Sequence, residues 1–323
     1  MDDGWRATLR QALEHRDLEA ARRVPKTDLH CHSMLSAPPE TYAALLGRPL
    51  APVPPVFGSF RAFGDYIGTH LFPAMTTPAN VRTIIRAAFE RMATDGVVYS
   101  EMSFDLLLPD FIGMQPAAFL TLVSEEVDRI AGRLTVAPEV GVSRGLPPDE
   151  AFARVKEWIA SGVCRSIDLY DDERLGVLRD FAPLYRLAAD HGLKLKAHAG
   201  ELCGPDAVRE AIDVLGVHAV QHGVRAAEDP AIAELLASRG TVLHICPTSN
   251  YSLGVCDALA THPARRLYDM GVRLTVNSDD FTLFGADVSQ ELLNLTTMGF
   301  TPDDVVQIVD NGLAEIPANV PTP

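Results

Sequence analysis

Eight short runs of β-branched and apolar residues recur along the chain, and segments with helical periodicity separate them. Such alternation is typical of a parallel sheet whose strands are joined by helices. Eight units without a glycine-rich dinucleotide fingerprint favour an α/β fold of the closed (β/α)8 TIM-barrel type over an open doubly wound sheet. The predicted strands are Thr27–His32, Val97–Phe104, Thr135–Ser143, Ser166–Asp171, Lys194–Gly200, Ala219–Gly223, Thr241–Pro247 and Val272–Asp279.

The segment before the first strand is predicted to add one helix to the barrel. Within residues 1–24, Leu9, Leu13 and the pair Ala20–Ala21 share one apolar stripe, and charges occupy the other positions. We therefore expect an N-terminal helical extension of a single domain that spans all 323 residues.

Residues 33–96, between the first two strands, are too long for a simple loop. In a barrel of this type catalytic groups lie at the carboxyl ends of the strands, so a helical insertion here can act as a lid. Its regularly spaced aromatic residues have two interpretations: Phe60 and Phe63 contact a substrate, or the helix that carries them packs on the barrel. The sequence leaves both open.

Composition limits the partners and the compartment. The formal net charge of −15 argues against binding to nucleic acid. No apolar run reaches the roughly 18 residues that cross a bilayer, and the charged N-terminus lacks the apolar core of a signal peptide. We expect a cytoplasmic protein with no membrane partner, whose five cysteines are reduced thiols. The oligomeric state stays open.

Histidines and aspartates fall at the ends of the predicted strands. His30 and His32 are two residues apart on one strand and therefore point to the same face. His198 and His222 end the fifth and sixth strands, and the pair Asp279–Asp280 ends the eighth. Three imidazoles and one carboxylate form a ligand set suited to zinc or a similar divalent ion. The other six histidines are interpreted as structural: His15, His70, His191, His218, His244 and His262.

Glu201 follows His198 by three residues, just past the fifth strand. At this position a carboxylic acid can reach the site without being a ligand, and it can donate a proton to a ring nitrogen. A glutamate at such a turn is otherwise a residue favoured by the dipole of a helix N-terminus. The two interpretations are compatible.

Five segments in order and register resemble the motifs of the adenosine/adenine deaminase family, and the resemblance covers residues from about 25 to about 300. They are Pro25–His32, His198–Glu201, Gln221–Gly223, Cys246–Asn250 and Asn277–Asp280. The resemblance implies hydrolytic removal of an amino group from a purine-like small molecule, with release of ammonia. It also implies one zinc ion per chain, with another first-row metal as the alternative, bound by His30, His32, His198 and Asp279.

The same resemblance assigns roles to three further residues. Glu201 is expected to protonate the ring nitrogen next to the amino-bearing carbon, which opens that carbon to attack. His222 and Asp280 are expected to deprotonate and orient the attacking water. The H-x-E and P-C-x-x-C pattern of cytidine-type zinc deaminases does not occur in the chain.

One metal ion is favoured over two. Dinuclear relatives place a lysine on the fourth strand, and the segment Ser166–Asp171 has none. Lys196 shares a face with His198 and is expected to form an internal ion pair with a barrel carboxylate such as Glu101, Glu139 or Asp168.

Three positions depart from the family pattern on the substrate side. Met34 stands where adenosine-binding members carry an acidic residue for the sugar hydroxyl; it either contacts an apolar group of the substrate or only fills core space. Asp171 replaces a glycine whose N–H faces the purine, and its side chain would clash with an adenosine-like substrate or recognise a donor on a different one. Phe281 replaces a proline after the paired aspartates; this change alters the floor of the site or, as the simpler account, is absorbed by a loop adjustment. These changes predict a modified adenine, a substituted adenine nucleoside or a related aminated heterocycle as the substrate, and not plain adenosine.

Two other functions are compatible with a metal site of this kind. A mononuclear amidohydrolase would use the same hydroxide on another C–N bond, and a non-catalytic metal-containing barrel would only bind a ligand. Glu201 discriminates deamination from the amidohydrolase reaction, because only deamination requires protonation of a ring nitrogen. The presence of Glu201, His222 and Asp280 argues against a barrel that only binds a ligand.

Overall fold

The strands form one parallel sheet in chain order, as described by a computed structural model for residues 4–321. The sheet closes where the backbone of Cys31 bridges to that of Asp279, whose N–H donates to the His30 carbonyl oxygen at 3.0 Å. The predicted (β/α)8 barrel is therefore confirmed. Its strands are β1 (Lys26–His32), β2 (Val97–Asp105), β3 (Thr135–Ser143), β4 (Ser166–Tyr170), β5 (Lys194–Ala199), β6 (Ala219–His222), β7 (Val242–Ile245) and β8 (Leu274–Val276).

Helices cover the outer face of the barrel, and their apolar stripes bury against the strands. Among the described residues, no helix is both long and apolar enough to cross a membrane. The helices are α1 (Gly4–His15), α2 (Leu18–Arg22), α3 (Pro39–Leu46), α4 (Phe60–Tyr66), α5 (Pro78–Thr94), α6 (Leu108–Phe111), α7 (Pro116–Ile130), α8 (Pro148–Ala160), α9 (Ala182–Asp190), α10 (Pro205–Glu210), α11 (Pro230–Arg239), α12 (Pro247–Ser252), α13 (Ala264–Asp269), α14 (Phe281–Phe284), α15 (Val288–Thr297) and α16 (Pro302–Ala314).

The eighth strand is shorter than the sequence predicts, whereas the other seven predicted strands agree with the observed ones to within two residues at each end. Beyond Val276, side chains replace part of the backbone ladder. The Asn277 Oδ1 atom accepts the Leu29 N–H at 2.8 Å, and the Ser278 N–H donates to the Asp28 carboxylate at 3.2 Å. The chain thereby leaves the sheet early, and Asp279 and Asp280 turn toward the barrel axis.

The N-terminal extension consists of two helices, so the prediction of one helix was wrong. Helix α1 ends at His15, and Arg16 adopts a left-handed conformation with φ of 51°. Asp17 then begins α2, because its Oδ1 atom accepts the Ala20 N–H at 3.0 Å. The predicted stripe is buried, and Arg6 on α1 pairs with Asp310 on α16 at 2.7 Å.

The long segment between β1 and β2 divides into two parts. Its last helix, α5, takes the place of the first helix around the barrel and packs against β2 and α7. Residues 33–77 hold α3, α4 and several short turns. In α4 the ring of Phe63 stacks on Phe284 at 5.8 Å between centroids, and it also contacts Phe57 and Phe60. The aromatic residues therefore pack on the barrel and reach its mouth.

A buried ion pair occupies the interior of the barrel. The Lys196 Nζ atom lies 2.7 Å from a Glu139 carboxylate oxygen and 3.1 Å from one of Glu101, and it donates to the Leu29 carbonyl oxygen at 2.8 Å. The lysine is fully buried. Of the three carboxylates proposed as its partners, Asp168 pairs with His198 instead.

Candidate active site

Four side chains of metal-ligand type meet at the carboxyl ends of β1, β5 and β8. The Nε2 atoms of His30 and His198 lie 3.1 Å apart. The Oδ1 atom of Asp279 lies 3.5 Å from the His32 Nε2 atom and 3.8 Å from the His30 Nε2 atom. The ligand atoms of His30, His32 and His198 lie within 4.8 Å of one another, and so do those of His32, Asp279 and Asp280. The fold thus brings together the four residues that the sequence predicted as metal ligands.

The second ring nitrogen of two of these histidines is already engaged. The His198 Nδ1 atom lies 3.0 Å from the Asp168 carboxylate, and the His30 Nδ1 atom lies 3.1 Å from the His244 carbonyl oxygen. When both rings are neutral and carry their protons on Nδ1, two Nε2 lone pairs face each other. Lone pairs at 3.1 Å repel unless a proton or a cation lies between them. The donor set therefore fits a bound cation.

The surroundings of the cluster shift the pKa values of His30 and His198 in opposite directions. Burial lowers the pKa of His30. Burial also opposes the charge on His198, but the charge and hydrogen bond of Asp168, together with the charges of Asp279 and Glu201, outweigh it and raise the pKa of His198 to about 9. Without a cation, a proton on the His198 Nε2 atom would take the place between the two rings. Cys246 is also close, with its Sγ atom 3.3 Å from the His30 Nδ1 atom. That atom is on the side of the ring opposite Nε2, so the thiol lies outside the ligand cluster.

Glu201 and His222 are linked through Asn250. The Asn250 Nδ2 atom donates to the Glu201 Oε1 atom at 3.0 Å and lies 3.2 Å from the His222 Nδ1 atom. The amide orientation follows from His262, because its Nδ1 atom accepts the Ala264 N–H at 3.2 Å. Its Nε2–H therefore donates to the Asn250 Oδ1 atom at 3.1 Å. With Nδ1 as acceptor, neutral His222 carries its proton on Nε2.

The loop that carries Glu201 is held by one buried carboxylate, Glu173. Its two oxygens accept the backbone N–H groups of four consecutive residues, at 2.9, 2.7, 3.0 and 3.3 Å. These are Gly200, Glu201, Leu202 and Cys203. Burial and the charge of Asp279 raise the pKa of Glu201 to about 8, so this side chain is protonated at neutral pH.

Asp280 lies at the start of α14 with one carboxylate oxygen buried and without a hydrogen-bond partner among the described residues. Burial and the charge of Asp279 raise the pKa of Asp280. The neighbouring Phe281 packs over the Arg91 guanidinium at 4.3 Å and does not line the cavity. Of the two accounts of Phe281, the structure therefore favours a loop adjustment over a change in the floor of the site.

A cavity of about 500 Å³ opens above these residues. The side chains predicted to contact substrate, Met34, Phe60, Phe63 and Asp171, all line it. Its mouth is apolar, and the exposed rings of Phe72 and Phe111 meet there at 4.9 Å between centroids.

Several residues of the site were not assigned by sequence analysis. Asn250 lies within a quoted motif, but its link to His262 depends on the fold of the loop after β7. Asp168 was considered only as a partner for Lys196. Asp105 was given no role. It ends β2 just as His32 ends β1, and this position at a strand end is the signal that could have placed it in the site.

A closed parallel barrel that gathers imidazoles and carboxylates at the carboxyl ends of its strands defines the class of amidohydrolase-type barrel enzymes. Within this class, the family model described as adenosine deaminase matches residues 25–319. The chain belongs to the adenosine deaminase family and is a hydrolytic deaminase, which confirms the predicted family and reaction class.

Relatives of known name agree with this assignment. The chain is 34% identical over 299 residues to an adenine deaminase of Rhizobium johnstonii, covering 86% of this chain and 89% of the relative. The crystal structure of an adenine deaminase from Arthrobacter aurescens superposes with a TM-score of 0.82 at 26% identity, covering 91% and 94% of the two chains. A zinc-bound amidohydrolase from Burkholderia ambifaria shares the fold, with a TM-score of 0.78 at 23% identity over 97% and 88% of the chains.

Proposed function

We propose that this deaminase replaces the C6 amino group of an adenine-like purine with hydroxide, releases ammonia, and uses one zinc ion. The observation that carries the proposal is the pair of facing Nε2 atoms of His30 and His198 beside a protonated Glu201. The relatives named adenine deaminase support a purine substrate.

The ligand assignment follows from the donor set of this chain. Four residues would hold the zinc ion: His30, His32, His198 and Asp279. Imidazole and carboxylate are common zinc ligands, and the bound zinc of the Burkholderia relative supports this metal. When bound, the cation would lower the pKa of a water molecule to about 7 and so supply hydroxide at neutral pH.

Glu201 supplies the proton that makes the ring electrophilic. Because Asn250 donates to the Oε1 atom of Glu201, the carboxyl proton would reside on Oε2, and Glu201 is one of the residues that line the cavity. From there it can pass to the purine N1 atom, next to the carbon that is attacked. Protonation at N1 weakens the aromatic π-system at C6 and thereby lowers the barrier to attack.

Asp280 and His222 divide the handling of the water. Asp280 would accept the proton of the attacking water, because one of its buried oxygens has no hydrogen-bond partner among the described residues, whereas the His222 Nδ1 atom already accepts from Asn250. His222 holds its own proton on Nε2 and donates it toward the oxygen atoms around it, which include a Glu201 oxygen at 3.5 Å. This division refines the expectation that both residues act as bases.

The remaining contacts are apolar on one side and acidic on the other. Met34, Phe60 and Phe63 would contact the purine or its substituent, and Asp171 would accept a hydrogen bond from it. Met34 offers no acceptor of comparable strength for a ribose hydroxyl, so adenosine is disfavoured.

Ammonia release and loss of ultraviolet absorbance across a panel of 6-aminopurines, with zinc content measured, test the proposal. We expect turnover of at least one compound, and a loss of about 10³-fold in kcat for Glu201→Gln with one zinc ion retained. Glu234→Gln, on the exposed face of α11, is the matched control. Absence of turnover across the panel by the zinc-loaded enzyme would refute the proposal. Equal activity of Glu201→Gln and wild type would favour hydrolysis of another C–N bond.

A further inference from the structure

One side of the cavity is polar, in contrast to its apolar mouth. Five side chains from the ends of the neighbouring strands β2, β3 and β4 form it, and we name this set the carboxylate wall. Its members are Ser103, Asp105, Ser143, Tyr170 and Asp171. The Tyr170 ring lies 5.4 Å from the His32 ring between centroids, so the wall adjoins the metal-ligand cluster.

Two hydroxyl groups of the wall donate hydrogen bonds to carboxylates of the same wall. The Ser143 hydroxyl donates to Asp171 at 2.5 Å, and the Tyr170 hydroxyl donates to Asp105. Backbone N–H groups take the other oxygen of each carboxylate, from Leu107 at 2.6 Å and from Asp172 at 2.8 Å. Each carboxylate oxygen with one such partner retains a free lone pair, so both aspartates can accept a further donor.

Two observations indicate that a ligand completes the wall. The Ser103 hydroxyl is 4% exposed and has no hydrogen-bond partner among the described residues. Unpaired buried hydroxyls are rare in folded proteins, so this one points to a partner that enters from the cavity. In addition, no lysine or arginine of the described chain lines the cavity, so no cation neutralises Asp105 and Asp171 there.

We infer that the carboxylate wall selects 6-aminopurines with an acceptor nitrogen beside an N–H donor on the ring edge remote from C6. That edge is N3 and N9–H of a free base. In this arrangement the Ser103 hydroxyl donates to N3, and Asp105 or Asp171 accepts from N9–H. A sugar at N9 removes the donor and leaves the acceptor unpaired.

The inference rests on the proposed function, which puts C6 at the metal ligands and N1 at Glu201 after β5. Asp280, after β8, lies on the opposite side of the ring. The edge that continues from N1 through N3 to N9 therefore faces β4, β3 and β2, where the carboxylate wall lies. The cavity has room for a purine, because 500 Å³ equals the liquid volume of roughly 17 water molecules.

Binding of ligands without an amino group tests the wall separately from turnover. Dissociation constants of hypoxanthine and 9-methylhypoxanthine are measured by calorimetry on the zinc-loaded protein. We expect wild type to prefer hypoxanthine by roughly ten- to hundred-fold, the range for one hydrogen bond to a charged acceptor. The ratio should fall below about threefold in the double variant Asp105→Asn/Asp171→Gly. Each single variant should give an intermediate ratio.

Two further variants distinguish the effect of the wall aspartates on binding from a nonspecific loss of binding. Ser103→Ala should weaken both ligands by a similar factor, because both carry N3. Asp149→Asn, at an exposed position of α8, should change neither. Folding of each variant is checked by thermal melting, and the single variants carry the test where the double variant does not fold.

The outcomes distinguish the two proposals. A wild-type ratio near one, or a ratio that the aspartate variants leave unchanged, overturns the inference even if the enzyme deaminates 6-aminopurines. A large ratio that the variants abolish supports the wall even if no 6-aminopurine releases ammonia, and in that case only the proposed reaction fails.

Discussion

Asn250→Asp is the substitution that most directly tests how the site sets its protons. In the wild type, the Asn250 amide donates to the Glu201 Oε1 atom and makes the His222 Nδ1 atom an acceptor. An aspartate of nearly the same shape offers only acceptors when ionised. It would draw the His222 proton to Nδ1, remove the donor from Glu201 and add a negative charge beside it.

The magnitude follows from the contacts that are lost. Asn250 is fully buried, and each of its two donor contacts is worth about 1–3 kcal/mol once its partner is left unpaired. A wrong imidazole tautomer lowers kcat by about 10⁴-fold in a Ser-His-Asp triad. We therefore expect kcat to fall by about 10²- to 10⁴-fold, which corresponds to roughly 3–5 kcal/mol at 1.36 kcal/mol per factor of ten.

The assay is steady-state deamination of the best 6-aminopurine, with zinc content and melting temperature measured on the same samples. Asn319→Asp, at an exposed position near the C-terminus, introduces the same charge away from the site. A folded, zinc-loaded Asn250→Asp enzyme with kcat within threefold of wild type would refute the assigned tautomer. A loss confined to KM would refute it as well, because the amide does not line the cavity.

Three further substitutions probe groups that support the site. Asp168→Asn removes the charged partner of the His198 Nδ1 atom, at 3.0 Å, and should weaken zinc binding about 10- to 100-fold in chelator competition. Lys196→Met leaves Glu139 buried without its cation, while Glu101 retains Lys194, and it should lower the free energy of unfolding by about 3–5 kcal/mol in urea titrations. Glu173→Gln supplies an amide where four N–H groups need acceptors, so kcat should fall about tenfold with unchanged zinc content.

The barrel could be predicted because its strands carry a strong local signal. A parallel strand buried on both faces is apolar along its whole length, so the runs mark strands almost to the residue. The exception is β8, where the side chain of Asn277 accepts the Leu29 N–H and the side chain of Asp28 on β1 accepts the Ser278 N–H, in place of backbone carbonyl groups. The break between α1 and α2 was missed because no glycine or proline marks it. Asp17 as a capping residue was the available signal.

The ligand cluster could be anticipated because strand ends of a barrel converge, whatever the details of the loops. The hydrogen-bond and ion-pair partners of Asp168 and Asn250 could not be predicted. Asp168 faces the barrel interior with both Lys196 and His198 on the adjacent strand, and the relative height of the side chains decides that it pairs with His198. The contact between Asn250 and His262 depends on the path of a loop, which sequence periodicity does not encode.

Backbone conformation gives an independent reason to place Asp171 within the site. Four non-glycine residues among those described have positive φ, and three of them lie at or just past the carboxyl ends of strands: Asp171 (86°), His222 (58°) and Asp279 (54°). Such conformations cost of order 1–3 kcal/mol each and persist where the surrounding structure enforces them. For His222 and Asp279, the turn aims the side chain from the strand toward the axis. Asp171 has the same strain at the matching height, where a glycine would be unstrained, so its carboxylate is held there against a local penalty.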